Sequence, residues 1–216
     1  MQLLNLTRSS LIDYTANQIN QFFPSGDANV RPLIDAHLDE ALRRLHKCIN
    51  SVRDWEINKF DHLQSSQYCT YLYFLSNTIW RNIGNDDICT KLFLLNKTLN
   101  GIDCFYEIEL PELFYIPHSI GIVLAKATYS NYLVLFQNST VGKNHGVAPV
   151  LGEGVVMYPN TAIIGRCNIG DRTVLAQGTS VINTDCAGNS IVFNTSGAKI
   201  ESKPIIQNVW EDIFRE

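Results

Sequence analysis

The chain has 216 residues, of which 45% are hydrophobic and 18% charged, a composition typical of a soluble globular protein with one domain or two small ones. Its 17 lysines and arginines against 21 aspartates and glutamates argue against a nucleic-acid binder that neutralises phosphates. No apolar segment reaches the roughly 18 to 20 residues of a transmembrane helix, and the first residues lack a secretory signal pattern, so we expect a cytoplasmic protein without membrane insertion.

The first hundred residues carry helical periodicity. From Pro32, which suits a helix start, apolar residues recur every three or four positions around a polar face. The apolar run over residues 65–80 is long enough to favour a buried helix over a strand. A further helix is expected to begin after Asn85 and to end at Asn100-Gly101. These patterns predict an N-terminal helical domain over residues 1–100.

A different period follows Gly101. Aliphatic residues recur at every sixth position, at Leu151, Met157, Ile163, Ile169, Leu175 and Val181. Four positions after each of the first five comes a small or β-branched residue, namely Val155, Thr161, Cys167, Thr173 and Thr179. Neither a strand nor a helix has this period, whereas a parallel β-helix repeats every six residues and closes one triangular coil with three hexads.

A weaker frame of the same period runs upstream. It passes through Ile116, Ile122, Thr128 and Val134, and it shifts by one residue at Leu135, which indicates a local register break. The predicted fold class is therefore α+β, with the helical domain followed by a β-helix over residues 101–200. A C-terminal tail over residues 201–216 has helical spacing of its apolar residues and is expected to cover the last coil.

The cysteines fit neither a zinc site nor a compact disulfide framework, because they are widely spaced and form no CxxC pattern. Buried free thiols are expected at Cys48, Cys69, Cys89, Cys104, Cys167 and Cys186. No metal site is predicted.

Two histidines and an aspartate are the candidate catalytic residues. Asp103 precedes His118 by 15 residues, close to the roughly 18 residues of one coil, so the two would lie on nearly stacked positions of neighbouring coils. An aspartate beside a histidine can form a general base, because the carboxylate fixes the imidazole tautomer and stabilises the imidazolium. The alternative from spacing alone is that Asp103 caps the preceding turn and His118 is an ordinary surface histidine. His145 also lies beside a glycine in the repeat region.

Three segments resemble the serine acetyltransferase family of hexapeptide acyltransferases, and the resemblance covers about residues 60 to 200. They are the stretch from Gly101 to Ala125, then Phe136-Gln-Asn-Ser-Thr-Val-Gly, and then Pro149-Val-Leu-Gly-Glu-Gly-Val with the hexads. The resemblance implies a left-handed β-helix and acetyl-CoA as co-substrate. It also implies that Asp103 and His118 are the catalytic pair and that His145 is the second active-site histidine.

The resemblance extends to the binding residues. It implies coenzyme A contacts at Gly142, Lys143, Pro159, Gln177, Gly178 and Lys199, although a solvated face explains the two lysines equally well. The expected acceptor contacts are Pro117, Gln137 and Asn144, and backbone amides between Gln137 and Gly142 would stabilise the oxyanion. His145 follows His118 by 27 residues, about one and a half coils, so the two should lie on different faces of one chain. A homotrimer, or a multiple of three, with a site shared between subunits would bring them together.

Departures from the family concern the acceptor. Pro117 stands where serine acetyltransferases have an aspartate, and Asn144 stands where they have an arginine. The family's Gly-x-Pro-Ala segment is replaced by Thr195-Ser-Gly-Ala. We therefore expect an O-acetyltransferase acting on a sugar hydroxyl in surface polysaccharide (capsule or O-antigen) biosynthesis.

Three alternatives remain open. The first is a serine O-acetyltransferase of cysteine biosynthesis. The second is a non-catalytic hexapeptide protein that binds a partner. The third is a metal-dependent hexapeptide enzyme such as a carbonic anhydrase, which would need three converging histidines where the repeat region has two.

Overall fold

The first half of the chain is mainly α-helical. The computed structural model describes residues 1–24, 29–196 and 199–215. Its first four helices are α1 (Arg8–Phe22), α2 (Arg31–Ser51), α3 (Ser65–Ile83) and α4 (Asp86–Asn100). The two short strands β1 (Gln2–Leu3) and β2 (Lys59–Phe60) pair in parallel beside them. The predicted helices are thereby confirmed, including the Asn85 cap and the Gly101 end of α4.

The helix α3 forms the centre of this helical part. The side chains of residues 66–79 are all buried, and α2 and α4 pack against it. The sequence did not single out α1, whose N-terminus carries a capping box between Thr7 and Ser10. A threonine followed three residues later by a polar residue was the available signal.

The second half of the chain is a parallel β-helix of about five coils. The first face is the sheet of β3 (Asp103–Cys104), β5 (Val123–Leu124), β8 (Thr140–Gly142), β11 (Ala162–Ile164) and β14 (Ser180–Ile182). The second face contains β6 (Thr128–Tyr129), β9 (Val150–Leu151) and β12 (Asn168–Ile169). The third face contains β4 (Phe114–Tyr115), β7 (Leu133–Leu135), β10 (Val156–Met157), β13 (Thr173–Leu175) and β15 (Ser190–Asn194), and β16 (Ile200–Pro204) pairs antiparallel with β15.

The interior of the β-helix follows the hexad pattern. All six aliphatic hexad positions are 0% exposed, and the five small positions are at most 3% exposed. Met157 pairs with Leu175, and Ile163 pairs with Val181, so residues three hexads apart lie on the same face. The hexad interpretation is confirmed.

The upstream frame is wrong in part. Tyr129 pairs with Leu151 and Leu135 pairs with Met157, so these two residues, and not Thr128 and Val134, continue the inward column. The inward residue before them is Leu124, only five positions before Tyr129. The turn between β5 and β6 is therefore one residue shorter than a regular hexad. Because Tyr115 pairs with Val134, Ile116 is in line with Leu135 and precedes Leu124 by eight residues, so the turn between β4 and β5 is two residues longer than a hexad. The two changes together move the inward column one position later.

The C-terminal tail reaches further than the last coil. The backbone N–H of Ile205 donates to the carbonyl of Asn189, the Trp210 indole donates to the carbonyl of Gly154 at 2.8 Å, and Phe214 packs edge-on against Tyr132. Asn189, Gly154 and Tyr132 directly precede β15, β10 and β7 in successive coils. The tail, including α5 (Val209–Ile213), therefore runs along the β-helix from its last coil toward its first. The guanidinium of Arg215 then donates to carbonyls between positions 49 and 55, after and at the end of α2. The tail thus ties the β-helix to the helical part.

All six cysteines are free and buried, as predicted. Burial raises the pKa of Cys48 and of Cys69 to about 12. Within residues 1–24, 29–196 and 199–215, no helix has the length and hydropathy to cross a bilayer. The Gly-Ala pair of the Thr195-Ser-Gly-Ala segment lies outside the described residues.

Candidate active site

The turn that carries His118 is fastened to the segment that carries Asp103. The Gly121 N–H donates to the carbonyl of Gly101 at 3.0 Å, and the Asp103 N–H donates to the carbonyl of Ile122 at 2.8 Å. Asp103 therefore begins the first face directly beside the turn over residues 116–122. The segments that carry the two candidate residues are thus hydrogen-bonded to each other.

The His118 side chain is exposed, whereas the residue after it is buried. The Ser119 hydroxyl donates to the carbonyl of Asn100, the last residue of α4, at 2.6 Å. This bond anchors the turn at the helix end. Pro117, on the other side of His118, is half-buried. The imidazole is thus presented to solvent from a turn that is fixed on both sides.

The Asp103 carboxylate makes an ion pair that sequence analysis missed. Its Oδ2 accepts a hydrogen bond from the Lys97 ammonium at 2.6 Å, and no hydrogen bond joins Asp103 to His118 among the described residues. Lys97 lies in the last turn of α4. A lysine six residues before the aspartate, across a predicted helix end, was the only available signal. The Asp103 carboxylate is thus bonded to Lys97.

The turns between the third and first faces form one edge of the prism, here called the His118 corner (residues 116–122, 136–139, 158–161 and 176–179). Backbone bonds stack these turns: Asn138 N–H to Ile120 at 2.9 Å, Asn160 N–H to Gln137 at 3.1 Å, and Gly178 N–H to Pro159 at 3.0 Å. The predicted contacts Gln137, Pro159 and Gln177-Gly178 therefore lie in successive turns above His118. Oε1 of Gln137 is buried and has no hydrogen-bond partner among the described residues.

Lys199 belongs to the same corner at the top of the prism. The strand β15 runs into this corner, where the Asn194 side chain accepts from the N–H of Ser180 at 2.6 Å. The next residue, Thr195, donates its N–H to the carbonyl of Lys199 at 2.9 Å. Lys199 is exposed there.

The remaining predicted residues lie on the edge between the first and second faces, here called the His145 corner (residues 125–127, 143–149, 165–167 and 183–185). Asn144 and Val147 exchange two backbone hydrogen bonds of 3.0 Å. His145 (φ 48°) and Gly146 (φ 81°) between them have positive φ, which is the conformation of a two-residue type I′ hairpin. His145 is exposed at the tip, and Gly142 and Lys143 lead into the hairpin.

This hairpin is an insertion in the coil. Thr140 pairs with Ala162, 22 residues further on, whereas Ala162 pairs with Ser180, 18 residues further on. The four additional residues lift His145 away from the prism. Because the hairpin follows β8 and the His118 turn precedes β5, the two histidines lie at opposite edges of the first face, in line with the predicted separation. One chain does not bring them together.

A cavity of about 500 Å³ lies on the third edge of the prism, beside the tail. Its lining includes Glu153, Asp171, Arg172 and Trp210, and the Arg172 guanidinium lies over the Trp210 ring, 5.4 Å from its centre. None of the predicted catalytic or binding residues lines it.

No family model matches this chain. A Schizosaccharomyces pombe protein named "Putative serine acetyltransferase" is 21% identical over 140 residues, which is 62% of this chain. The match covers 50% of that protein, so the chain spans about half the length of this curated relative.

Solved structures match over most of the chain. Serine acetyltransferase from Brucella abortus has a TM-score of 0.72 at 17% identity, covering 92% of this chain and 85% of its own. A serine acetyltransferase in complex with CoA has a TM-score of 0.70 at 17% identity, covering 89% and 83%. The chain therefore has the serine acetyltransferase fold, a helical domain followed by a left-handed parallel β-helix, as the resemblance implied.

Proposed function

We propose that the chain is an acetyl-CoA-dependent O-acetyltransferase whose general base is His118. The observation that carries the proposal is the fixed turn at the start of the β-helix, which holds the exposed His118 on a segment hydrogen-bonded to that of Asp103 and below the stacked turns of the His118 corner. The relatives named serine acetyltransferase, one of them in complex with CoA, support the same reaction class.

The mechanism needs no covalent enzyme intermediate. The His118 imidazole takes the proton of the acceptor hydroxyl while the oxygen attacks the thioester carbonyl of acetyl-CoA. The backbone N–H groups of Asn138, Ser139 and Thr140 already donate to backbone carbonyls, so they do not supply the oxyanion contacts expected between Gln137 and Gly142. When the C–S bond breaks, the thiolate of coenzyme A takes the proton back from the imidazolium, which restores the base. Asp103 orients His118 during both transfers.

Acetyl-CoA binds along the His118 corner in this proposal. The turns at Pro159 and Gln177-Gly178 offer backbone groups in line with His118, and Lys199 adds a cation near the top of the same edge. A cation at this end suits the phosphates of coenzyme A, which an acidic protein must attract locally.

The second histidine enters from another copy of the chain. His145 projects from the His145 corner on its hairpin, and a threefold assembly would place this corner against a neighbour's His118 corner. Exposed apolar side chains flank both corners, with Ile120 71% and Val147 46% exposed in the single chain. A homotrimer would cover them.

The acceptor that the comparisons support best is L-serine, because the relatives are named serine acetyltransferases. They do not support the polysaccharide pathway expected from the sequence. A saccharide hydroxyl remains the second candidate for one reason. Pro117 and Asn144 carry no charge for the ammonium and carboxylate of serine, and two charge-assisted contacts of about 1.5 to 3 kcal/mol each would be missing.

The release of thiol from acetyl-CoA measures acetyl transfer, and it tests both the reaction class and the role of His118 as general base. We expect turnover with a hydroxyl acceptor and a loss of at least about a hundredfold in kcat for His118→Ala in folded protein, with a smaller loss for Asp103→Asn. Full turnover by folded His118→Ala would contradict the general base.

Parallel assays with L-serine and with nucleotide-linked sugars decide the acceptor. A kcat/KM of about 10⁵ M⁻¹s⁻¹ for L-serine identifies it as a native substrate, whereas turnover of a sugar alone identifies the second candidate. The Asn144→Arg variant is the matched control: it should raise kcat/KM for L-serine and leave that for a neutral sugar unchanged.

A further inference from the structure

Lys97 is the one side chain that the described structure shows bonded to the Asp103 carboxylate. The ammonium lies 2.6 Å from Oδ2. Lys97 and Asp103 are 50% and 36% exposed, so the pair is partly screened by solvent. We propose that Lys97 is a positioning residue, which holds the Asp103 carboxylate beside the His118 turn and moderates the basicity that this carboxylate gives the imidazole.

The position of Lys97 is set by the end of α4. Its own carbonyl accepts the N–H of Gly101, which closes the helix in the left-handed conformation at φ 65°. A cation in the last turn of a helix is favoured by the helix dipole. The ammonium also lies 5.8 Å from the centre of the Phe93 ring. The end of α4, the Phe93 ring and the Asp103 carboxylate together hold the Lys97 ammonium at the junction of the helical domain and the β-helix.

The other groups around Asp103 leave Lys97 as its main charge partner. On the neighbouring strand β5 the residue paired with Asp103 is the uncharged Val123. On its own strand, burial raises the pKa of Cys104 well above its usual range, so that thiol is neutral. Within the turns over residues 116–122 and 136–139, His118 is the only titratable residue. Nearby, Glu107 and Lys126 pair with each other at 3.1 Å.

The chemical consequence follows from the sign of the charges. A carboxylate near His118 stabilises the imidazolium, and a bound ammonium offsets part of this field. Removing Lys97 therefore stabilises the protonated form of His118. The same removal frees the carboxylate to change its orientation, which would lower the fraction of molecules in the productive geometry.

This inference rests on the proposed base, but the first measurement does not need turnover. The ring-proton NMR signal of His118, assigned with His118→Ala, is followed against pH in wild type and in Lys97→Met. We expect its titration midpoint to rise by about 0.5 pH unit in Lys97→Met, and to stay near the wild-type value in Lys97→Arg. The acidic limb of the kcat/KM profile should move to higher pH by the same amount.

The matched control is Lys126→Met, which removes a lysine of an exposed ion pair on the same coil. It should leave the His118 midpoint unchanged. If Lys97→Met lowers the melting temperature but leaves the His118 midpoint and the pH profile at their wild-type values, the ion pair only joins α4 to β3 and the inference is wrong. A shifted midpoint in a protein without acetyl transfer would keep the Lys97 inference and reject the proposed function.

Discussion

Gly121 tests whether the His118 turn must keep its position for activity. It has φ 76°, and a Cβ built on it would lie well within van der Waals contact of Asn138 Oδ1. The Asn138 side chain would have to rotate and give up its hydrogen bond of 2.9 Å to Asn160. Gly121→Ala therefore combines backbone strain with displacement of the next turn of the His118 corner.

Gly84 separates the two effects. It has φ 60° and no atom within 4 Å of a built Cβ, so Gly84→Ala carries the backbone strain alone. That strain is about 1 kcal/mol. For Gly121→Ala the lost hydrogen bond adds about 1 kcal/mol and the repacking about 1 kcal/mol more, giving a total of about 3 kcal/mol.

Thermal unfolding and acetyl transfer measure the outcome together. At about 2 to 4 °C per kcal/mol for a chain of this size, Gly84→Ala should lower Tm by about 3 °C and Gly121→Ala by about 9 °C. Below both transitions we expect Gly121→Ala to lose at least about tenfold in kcat/KM while Gly84→Ala keeps wild-type activity. Equal Tm losses in the two variants, or full activity in Gly121→Ala, would refute the argument.

Three further predictions address the tail, the assembly and the thiols. Arg215→Ala removes hydrogen bonds to the carbonyls of Arg53 (2.9 Å) and Trp55 (2.6 Å), and it should lower the free energy of unfolding in urea by about 2 kcal/mol. The control is Arg43→Ala, which changes an exposed arginine. An equal loss of stability in the two variants would contradict a role for the tail in stability. Light scattering should give the mass of three chains or a multiple of three, and a fully active monomer would exclude a shared site. Because burial raises the pKa of Cys48 and Cys69 to about 12, a thiol reagent at pH 8 should label them only after unfolding, and rapid labelling of native protein would show that these sites open.

The sequence predicts the interior of the β-helix well because burial alone determines that the inward residues are apolar. Leu151, Ile163 and Val181 are fully buried, and their spacing is visible without any knowledge of the turns. The upstream frame failed because the turn between β4 and β5 is two residues longer than a hexad and the turn before Tyr129 is one residue shorter. Both changes fall in turns, whose exposed residues leave no hydrophobic pattern to count.

The partners of the site residues were harder to predict for a different reason. Asp103 is recognisable from its spacing to His118, but its bond to Lys97 depends on where α4 ends and how the chain turns into β3. The path of the tail likewise depends on tertiary contacts, such as the Trp210 bond to Gly154, which leave no local signature. Periodicity determines which residues face inward, whereas the ends of elements determine which polar groups meet.

The separation of the two histidines favours one kind of assembly. His118 precedes the first face and His145 follows it, so within one chain the width of the sheet lies between them. A twofold axis that pairs the two corners would have to lay the first faces of two chains on each other and cover that whole face. A threefold axis would instead set the His118 corner of each chain against the His145 corner of its neighbour, which would pair every His118 with a His145 and leave the third edge free. The four-residue insertion that raises His145 from the prism would give it the reach that such a contact needs.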